Sequence, residues 1–594
     1  MLDLLPPEIL HLIAAQLPRA KDLASLAKTC RRLHEVVGPE DWHKFVATKF
    51  PGVETPPLGV EAAQALTSRA RAVDKHAVVG RFLYPRPDAL RLGGERALRR
   101  DNPTHGYRPA LDSYEVWHGP SWNDRREVLA WGAADELFLR VTQSGANTRE
   151  KWVAFNDLDH SSSLDDICGV HLLRPEHPAK ESQKEHVIFA RMRGELVHIS
   201  IDPEDASLQY RQRFFTAGDI ECTDLGPGKD PVLSAHQSDG SVFLFPTTSD
   251  EDKVWPFARL KLDNDNLSRN RYSKFLSPSL FAVGTGGIDD AIAISVLSQE
   301  RVSLSRELSA EDVDFERWSF DVPIKSHVNA IAPLEATGNV FLASWGDRAV
   351  RLHDLRSNSD FEQAYRDTTD PNPIYCVQPF GHNGFVVGSG GNALVKFFDL
   401  RMTKTETYSY RDPHPGPSPA TGNPNSITTG LADLSLASVH GLSHPRKGFN
   451  IFLSHPPPSS FIRATRARRI ARPYRGAIYT MSSPSPSSPT IYTGIADGVV
   501  RLDFVSTDDL YGPCKEWYRN PLMLDPGNVS DWNQPDRVLE VAGYDRPETL
   551  SASLALRSQV PFVTINEENI DDEQRTGWDR RWEKIPESGA WRRR

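Results

Sequence analysis

A chain of 594 residues with only five cysteines has little to build on in sulfur chemistry, and Cys30, Cys168, Cys222, Cys376 and Cys514 are widely separated. No CxxC pair occurs, so neither a zinc-ligand spacing nor a disulfide framework is indicated, and an odd number of scattered thiols fits a reducing compartment. No run of about eighteen apolar residues exists, which excludes a helical membrane span. At the N-terminus no charged segment precedes an apolar run, because Pro6, Pro7 and Glu8 interrupt it at once. An excess of one charge is also missing: the net charge of −10 is modest and argues against nucleic acid as the main partner. Cytoplasm, nucleus or both is the expected location. Catalytic signatures are equally scarce, with no Walker-type loop, no HExxH and no nucleophile elbow. Gly284-Thr285-Gly286-Gly287 lies at a hairpin turn with no helix after it to receive a phosphate. His171, His177, His186 and His198 lack ligand spacing, and the pairs Asp165-Asp166, Asp289-Asp290 and Asp571-Asp572 adjoin turns. No catalytic residue, no cofactor and no metal is therefore expected.

What the chain does have is a recurring hairpin. In Phe341-Leu-Ala-Ser-Trp-Gly-Asp-Arg-Ala-Val-Arg-Leu-His-Asp-Leu-Arg356 an apolar run leads into the turn pair Gly346-Asp347, and Val350 and Leu352 continue as a second strand. Asp347 has Val350 three residues on and Leu352 five on. Asp239 has Val242 and Leu244 at those offsets, Asn392 has Val395 and Phe397, and Asp497 has Val500 and Leu502. Asp289 with Ile292 and Ile294, and Gly194 with Val197 and Ile199, share the frame. Successive turns lie 45, 50, 58, 45 and 105 residues apart, the last interval being about two of the others. Periods of about 40–50 residues, each with several strands, are the signature of a β-propeller. Six visible turns and one degenerate repeat near 436–470 predict seven blades, with six or eight as the alternatives. Asp354-Leu355-Arg356, Asp399-Leu400-Arg401 and His327 ahead of Asp347 resemble WD repeats, although His353 and Phe398 stand where that family has Trp. The resemblance implies that the turn Asp and the upstream His join a hydrogen-bonded network, so Asp347 is read as structural.

The first fifty residues follow a different period. Leu10, Ile13 and Leu17 recur at helical spacing, as do Leu23, Leu26, Cys30 and Leu33. Pro6 and Pro7 stand where a helix begins, and Asp22 is placed to cap a later one. So short a segment buries too little apolar surface to be comfortable alone, and a partner face is the natural supplement. The order Leu5-Pro6, Glu8-Ile9-Leu10, Ile13, Leu17, Asp22-Leu23, Leu26, Thr29-Cys30-Arg31-Arg32-Leu33 and Trp42 closely resembles an F-box. That family folds as three helices and docks on the Skp-type adaptor of cullin-RING ubiquitin ligases. The resemblance implies an adaptor-binding set of Leu5, Pro6, Ile9, Leu10, Ile13, Leu17, Leu23, Leu26, Cys30 and Leu33. Of these, Leu23, Leu26, Cys30 and Leu33 divide between the box's own core and the interface, in a proportion that sequence does not give.

The domain boundaries expected are an F-box over 1–48, a connector with a helix over 49–125, the propeller over 126–518 and an irregular tail over 519–594. The composition of Val60–Arg81 predicts the connector helix. Tyr84, Tyr107, Tyr114, Trp117 and Trp122 are expected to pack on the propeller rim. Leu137–Val141 and Trp152–Phe155 read as strands, one of which would close the ring. Blades are then read near 167–215, 219–262, 272–308, 320–366, 374–411 and 477–518. Pro- and Ser-rich segments at 412–426, 456–460 and 482–489 read as mobile loops. Arg463, Arg466, Arg468, Arg469, Arg472 and Arg475 form either an anion site, suited to a phosphorylated substrate segment, or a solvated strand or loop. Trp578, Trp582 and Trp591 would anchor the tail on the propeller.

The whole is mainly β: a WD-repeat-like propeller preceded by a small all-α F-box. It implies a non-catalytic substrate receptor of an SCF-type ubiquitin ligase, with a Skp-type adaptor and a cullin as partners and an unidentified protein, which could be phosphorylated, as target. A ligase-independent scaffold, a receptor for another cullin ligase through the Asp-Leu-Arg motifs, and a propeller enzyme are the rivals.

Overall fold

The structure is a computed structural model. It describes residues 4–50, 53, 59–74, 77–83, 89–93, 107–144, 149–159, 162–178, 180–181, 184–261, 272–284, 290–298, 302–309, 327–367, 370, 372–381, 383–391, 393–401, 449–453, 476–496, 498–506, 509–510, 512–522, 538–540 and 557–558. Helices come first: α1 (Pro7–Gln16), α2 (Ala20–Thr29), α3 (Arg31–Val36), α4 (Pro39–Lys49) and α5 (Gly59–Asp74). Pro7 and Pro39 sit in the first turns of α1 and α4, where a missing N–H costs nothing. Asp22 falls inside the first turn of α2 rather than at its cap, and Arg19 Nε donates to it at 3.2 Å.

Seven mainly antiparallel sheets follow, two of them extended at the outer edge by a parallel strand, Leu90–Gly93 beside Arg149–Asn156 and Lys253–Val254 beside Ser207–Phe214. Blade one runs Leu111–Trp117, Arg125–Ala133, Glu136–Gln143 and Arg149–Asn156; blade two runs Ile167–Leu172, Glu185–Arg191, Leu196–Asp202 and Ser207–Phe214. Blade three is Ile220–Leu225, Val232–Gln237, Val242–Pro246 and Ala258–Leu260, and blade four is Tyr272–Ser277, Leu280–Gly284, Asp290–Leu297 and Val302–Ser309. Blade five comprises Val328–Pro333, Val340–Trp345, Ala349–Asp354 and Gln363–Arg366; blade six comprises Ile374–Phe380, Gly384–Ser389, Leu394–Asp399 and Phe449–Phe452. In blade seven Ile478–Ser482, Thr490–Ile495 and Gly498–Asp503 are joined by Val79–Leu83 as the fourth strand, and Val538–Glu540, from the tail expected to be irregular, pairs outside it. Inner strands of neighbouring blades touch all the way round, including that of blade seven against that of blade one.

The count of seven matches the expectation; the inventory differs. Of segment 436–470, expected to be a degenerate repeat, the described part supplies a strand to another blade: Phe449–Phe452 pairs with Leu394–Asp399 as the fourth strand of blade six. The missing blade is blade one, which lies across the expected boundary at 126. Leu137–Val141 and Trp152–Phe155 fall in its third and fourth strands. The ring is closed instead by Val79–Leu83, antiparallel to Gly498–Asp503 with Val79 opposite Asp503. Accordingly the connector helix ends at Asp74, not Arg81, because a β-rich run takes over from Val79. Tyr114 and Trp117 belong to the first strand of blade one rather than to its rim.

A buried charge network ties the seam. Arg81 Nη2 lies 3.2 Å and Arg501 Nε 2.9 Å from Asp503, and Thr490 Oγ1 donates to the same carboxylate at 2.7 Å. Across the seam Tyr492 donates to Glu127. Burial pushes the Glu127 carboxyl up, but Arg501, Arg125 and Arg140 hold it down at about 2. Such a network is stable only while every member is present.

Each four-stranded blade has its second-to-third-strand turn on one face of the ring and its other hairpin connections on the opposite face. The recurring turns at 194, 239 and 347 are these second-to-third turns, and the strands on either side of positions 289, 392 and 497 are the second and third of their blades. Left-handed backbone recurs there, at Gly194, Gly240, Arg348 and Ala393, and at Ala134 in the turn of blade one. Asp347 is held by Arg351, whose Nη1 and Nη2 lie 2.9 and 2.6 Å from its two oxygens, so its role is local bracing of the hairpin.

Candidate functional site: the apolar face of the N-terminal helices

Helix α1 carries two stripes. Leu10 and Ala14, a turn apart, are buried with Leu23 of α2, Leu33 of α3 and Trp42, Phe45 and Val46 of α4. Ile9 and Leu12 face solvent with 42 % and 62 % of their surface exposed, next to Leu4 at 75 %. Pro6 is exposed too, while Leu5 and Ile13 are half-buried. Three large aliphatic side chains left in water on one short segment are what a docking face requires.

The packing divides the ten expected adaptor residues. Leu10, Leu23 and Leu33, at 0 %, 0 % and 1 % exposure, are core and have no surface to offer a partner. Pro6 and Ile9 are open, and Leu5, Ile13, Leu17, Leu26 and Cys30 lie between. Leu12 and Leu4 complete the exposed row although the spacing argument did not single them out. The signal was available, since Leu12 stands three residues after Ile9 on the same helical face. Two polar ties set the bundle: His11 Nδ1 is 2.9 Å from the buried carboxylate of Asp41, and Arg32 Nη2 donates to the Leu5 carbonyl at 2.9 Å.

The apolar supplement that so small a bundle needs comes partly from the chain itself. Ala62, Ala63, Ala65 and Leu66 of α5, together with Trp122 from blade one, share the core with Trp42, Phe45 and Val46. Helix α5 is bolted to the ring on its other side. Glu61 accepts from Ser121 Oγ at 2.8 Å and from the Trp122 backbone; Ser68 Oγ and Arg71 Nη2 both reach Asp509 at 2.6 Å. Arg69 Nη1 donates to the carbonyls of Pro486 and Ser488 at 2.6 and 3.0 Å. Segment 482–489, expected to be a mobile loop, is thereby fixed: Ser487 and Ser488 are buried, and Ser485 and Ser487 donate to Glu115.

These anchors identify the face. Residues 118–124 and 483–489 are first-to-second-strand connections of blades one and seven, so the helices sit on the face opposite the recurring turns. The turn face stays clear of them. The six arginines from Arg463 to Arg475 lie outside the described residues. Their connection leaves at Leu453 and returns at Gly476, each hydrogen-bonded at 2.9 Å to Ala393 in a turn on that clear face. Residues 412–426 and 456–460 and the three tail tryptophans likewise lie outside the described residues.

Among the described residues no group of three or more His, Cys, Asp or Glu is placed to hold a metal ion, and no helix is long and apolar enough to cross a membrane. Strand pairing does bring His186 and His198 together, but they bond to one another at 3.0 Å. Asp354 and Asp399 are each engaged by the arginine two residues on, at 2.8 and 2.6 Å.

A helical bundle with an exposed apolar row, fixed to one face of a seven-bladed propeller, has the build of a receptor or adaptor subunit. The F-box-like family model matches residues 2–48, and the chain carries an F-box-like domain at its N-terminus. Among solved structures, a crystal structure of Sqt1 from Chaetomium thermophilum aligns with a TM-score of 0.38 and 14 % identity, covering 66 % of this chain and 82 % of that one. A second Sqt1 crystal structure from the same organism gives a TM-score of 0.38 and 14 % identity, covering 63 % and 78 %. Among curated proteins none matches.

Proposed function

We propose that this chain is the substrate-recognition subunit of an SCF-type ubiquitin ligase. The observation that carries the reading is the exposed row Leu4, Ile9 and Leu12 on an F-box-like bundle that α5 locks to one face of the propeller. Docking that row on a Skp-type adaptor would gain about 25 cal/mol for each Å² of apolar surface buried and link the chain to the cullin. The turn face of the ring would then hold a protein target. Because α5 is pinned at both sides, the target is held at a set distance and orientation from the ubiquitin-loaded enzyme, and catalysis is effective concentration rather than side-chain chemistry here. Such an assembly works in the cytoplasm or nucleus.

The test has two arms. The full chain and the Ile9→Asp/Leu12→Asp variant are mixed with purified Skp-type adaptor, and the reading requires capture by the first and not the second. Proteins co-purifying with the full chain and with a form lacking residues 1–48 are then compared. Targets should accumulate, with longer half-lives, on the truncated form; equal half-lives would instead indicate a scaffold without turnover.

A further inference from the structure

Large apolar side chains exposed to solvent gather in two places among the described residues. One is α1. The other is the junction of blades two and three, where Tyr210, Phe215, Trp255 and Phe257 are 40 %, 51 %, 59 % and 45 % exposed. After Pro246 the chain leaves blade three and lays Lys253–Val254 parallel beside Ser207–Phe214 of blade two, then returns as Ala258–Leu260. Arg213 pairs with Lys253 and Phe214 with Val254, held by the Arg213 N–H to the Asp252 carbonyl at 2.8 Å and the Phe215 N–H to the Val254 carbonyl at 2.9 Å. Phe214 and Val254 point into the core beside Phe245. Alternation therefore turns Arg213, Phe215, Lys253 and Trp255 outward together. The Phe215 and Trp255 rings pack with centroids 4.1 Å apart, and the Arg213 guanidinium lies 5.7 Å from the Tyr210 ring centre. The backbone beneath is fixed, so the platform needs no ordering before it binds.

Two properties of this platform point to its occupant. Arg213 and Lys253 are like charges directly opposite on neighbouring strands, an unfavourable pair, and neither has a carboxylate partner among the described residues. Arg259 nearby is already committed to Asp239 at 3.1 Å. Secondly, the half-exposed rings of Tyr210, Phe215 and Trp255 leave about 300 Å² of apolar surface, within the range that marks binding patches. That is well short of the roughly 800 Å² per partner that a stable dimer of folded chains buries. It matches a short segment.

We propose that this platform docks a short acidic peptide segment of a partner protein, whose apolar or aromatic side chain lies on Phe215 and Trp255 while its carboxylates pair with Arg213 and Lys253. The site does not involve the F-box helices and does not depend on adaptor docking. Its strands run toward the turn face, so a segment bound there lies at the outer margin of the face that the helices leave clear.

The probe is a pool of labelled nine-residue peptides with Asp or Glu alternating with Phe, Trp, Leu or Ile, read by fluorescence anisotropy on the full chain. Lysine-for-acid versions and an oligouridylate serve as comparators. The acidic pool should bind, the lysine pool should not, and affinity should fall at least about tenfold in Arg213→Glu/Lys253→Glu and in Trp255→Ala, with added salt weakening it. Thermal midpoints of the variants, taken in parallel, show that the fold is retained. Equal binding of both pools, or binding unchanged in both variants, overturns the proposal. Binding of oligouridylate without the acidic pool assigns the surface to nucleic acid and also overturns it. A Trp255→Ala chain that melts earlier yet binds as before makes the ring pair a structural staple between blades, and overturns it as well.

Discussion

Acidification should weaken blade two in a way that two histidines account for. His186 and His198 are 0 % and 1 % exposed, with the His186 Nδ1 and His198 Nε2 atoms 3.0 Å apart. The chain of bonds fixes their tautomers. Gln212 donates to the Ser249 carbonyl, so its oxygen accepts from His198 Nδ1 at 3.2 Å, and His198 Nε2 accepts from His186. His186 Nε2 is left buried and without a hydrogen-bond partner. Burial above all, and then Lys180, pushes the His186 imidazole down to about 4; burial and the adjoining His186 push His198 down to about 3. Both would titrate near 6.5 in the unfolded chain. A base with a depressed folded-state pKa contributes stability that is intact above about pH 6.5 and is lost as pH falls toward the folded values, because the unfolded chain then binds more protons. At about pH 5 each site removes about 2 kcal/mol; since the pair titrates together, the joint loss is about 2–4 kcal/mol. Urea unfolding of the native chain and of His186→Gln/His198→Gln between about pH 7.5 and 5 measures it. Whatever the variant's stability at neutral pH, its slope with pH should be shallower by that amount, with the contribution of buried His353 common to both. Backbone exchange at 246–252, the segment that Gln212 and His177 hold through Ser249 and Thr247, should rise in the native chain over the same interval. Identical slopes in the two proteins would refute the reasoning.

Other expectations follow from the same geometry. Ile9→Asp should abolish adaptor capture in a pull-down while leaving the thermal midpoint within about 1–2 °C of the native value, whereas Leu10→Ala, a core change, should cost about 2–5 kcal/mol in denaturant unfolding. Asp503→Asn strips a charge from Arg81 and Arg501 in the buried seam and should cost about 3–5 kcal/mol, read as earlier urea unfolding and faster proteolysis. Gly194 has φ of +97°, and a Cβ there would sit 2.6 Å from the Gly218 carbonyl oxygen; Gly194→Ala should lower stability by about 1–3 kcal/mol. Ala134→Gly, at φ of 56°, should leave the thermal midpoint unchanged or slightly raised.

How far this was legible in the sequence varies with how local the cause is. Six turns were visible because each places apolar residues three and five positions after its turn residue. The turn of blade one escaped because Asp135 has Phe138 at the first offset but Arg140 at the second. That arginine is buried against Glu150, a pairing made across strands and invisible in a local frame. The closing strand Val79–Leu83 escaped for a related reason, since nothing near it in sequence indicates a partner at Gly498–Asp503. The N-terminal apolar set was legible as a set. Which members face outward depended on the packing of α1 against α3 and α4, and the connector helix that completes the core, Gly59–Asp74, ends seven residues before Arg81. The platform at Phe215 and Trp255 carried one local hint, Pro256, which cannot continue a central strand. It needed the crossover from blade three to blade two to bring the two rings together.

The ring-closing strand also imposes an order on synthesis. Val79–Leu83 and the helices that precede it leave the ribosome roughly 400 residues before the strand that completes their blade. Until residues 486–509 have been made, α5 lacks the carbonyls of Pro486 and Ser488 and the carboxylate of Asp509 that hold it. An unfinished or truncated chain can therefore display the apolar row of α1 but cannot aim it. The N-terminal segment acquires its working geometry only when the last blade is made, so the far end of the chain certifies the near one.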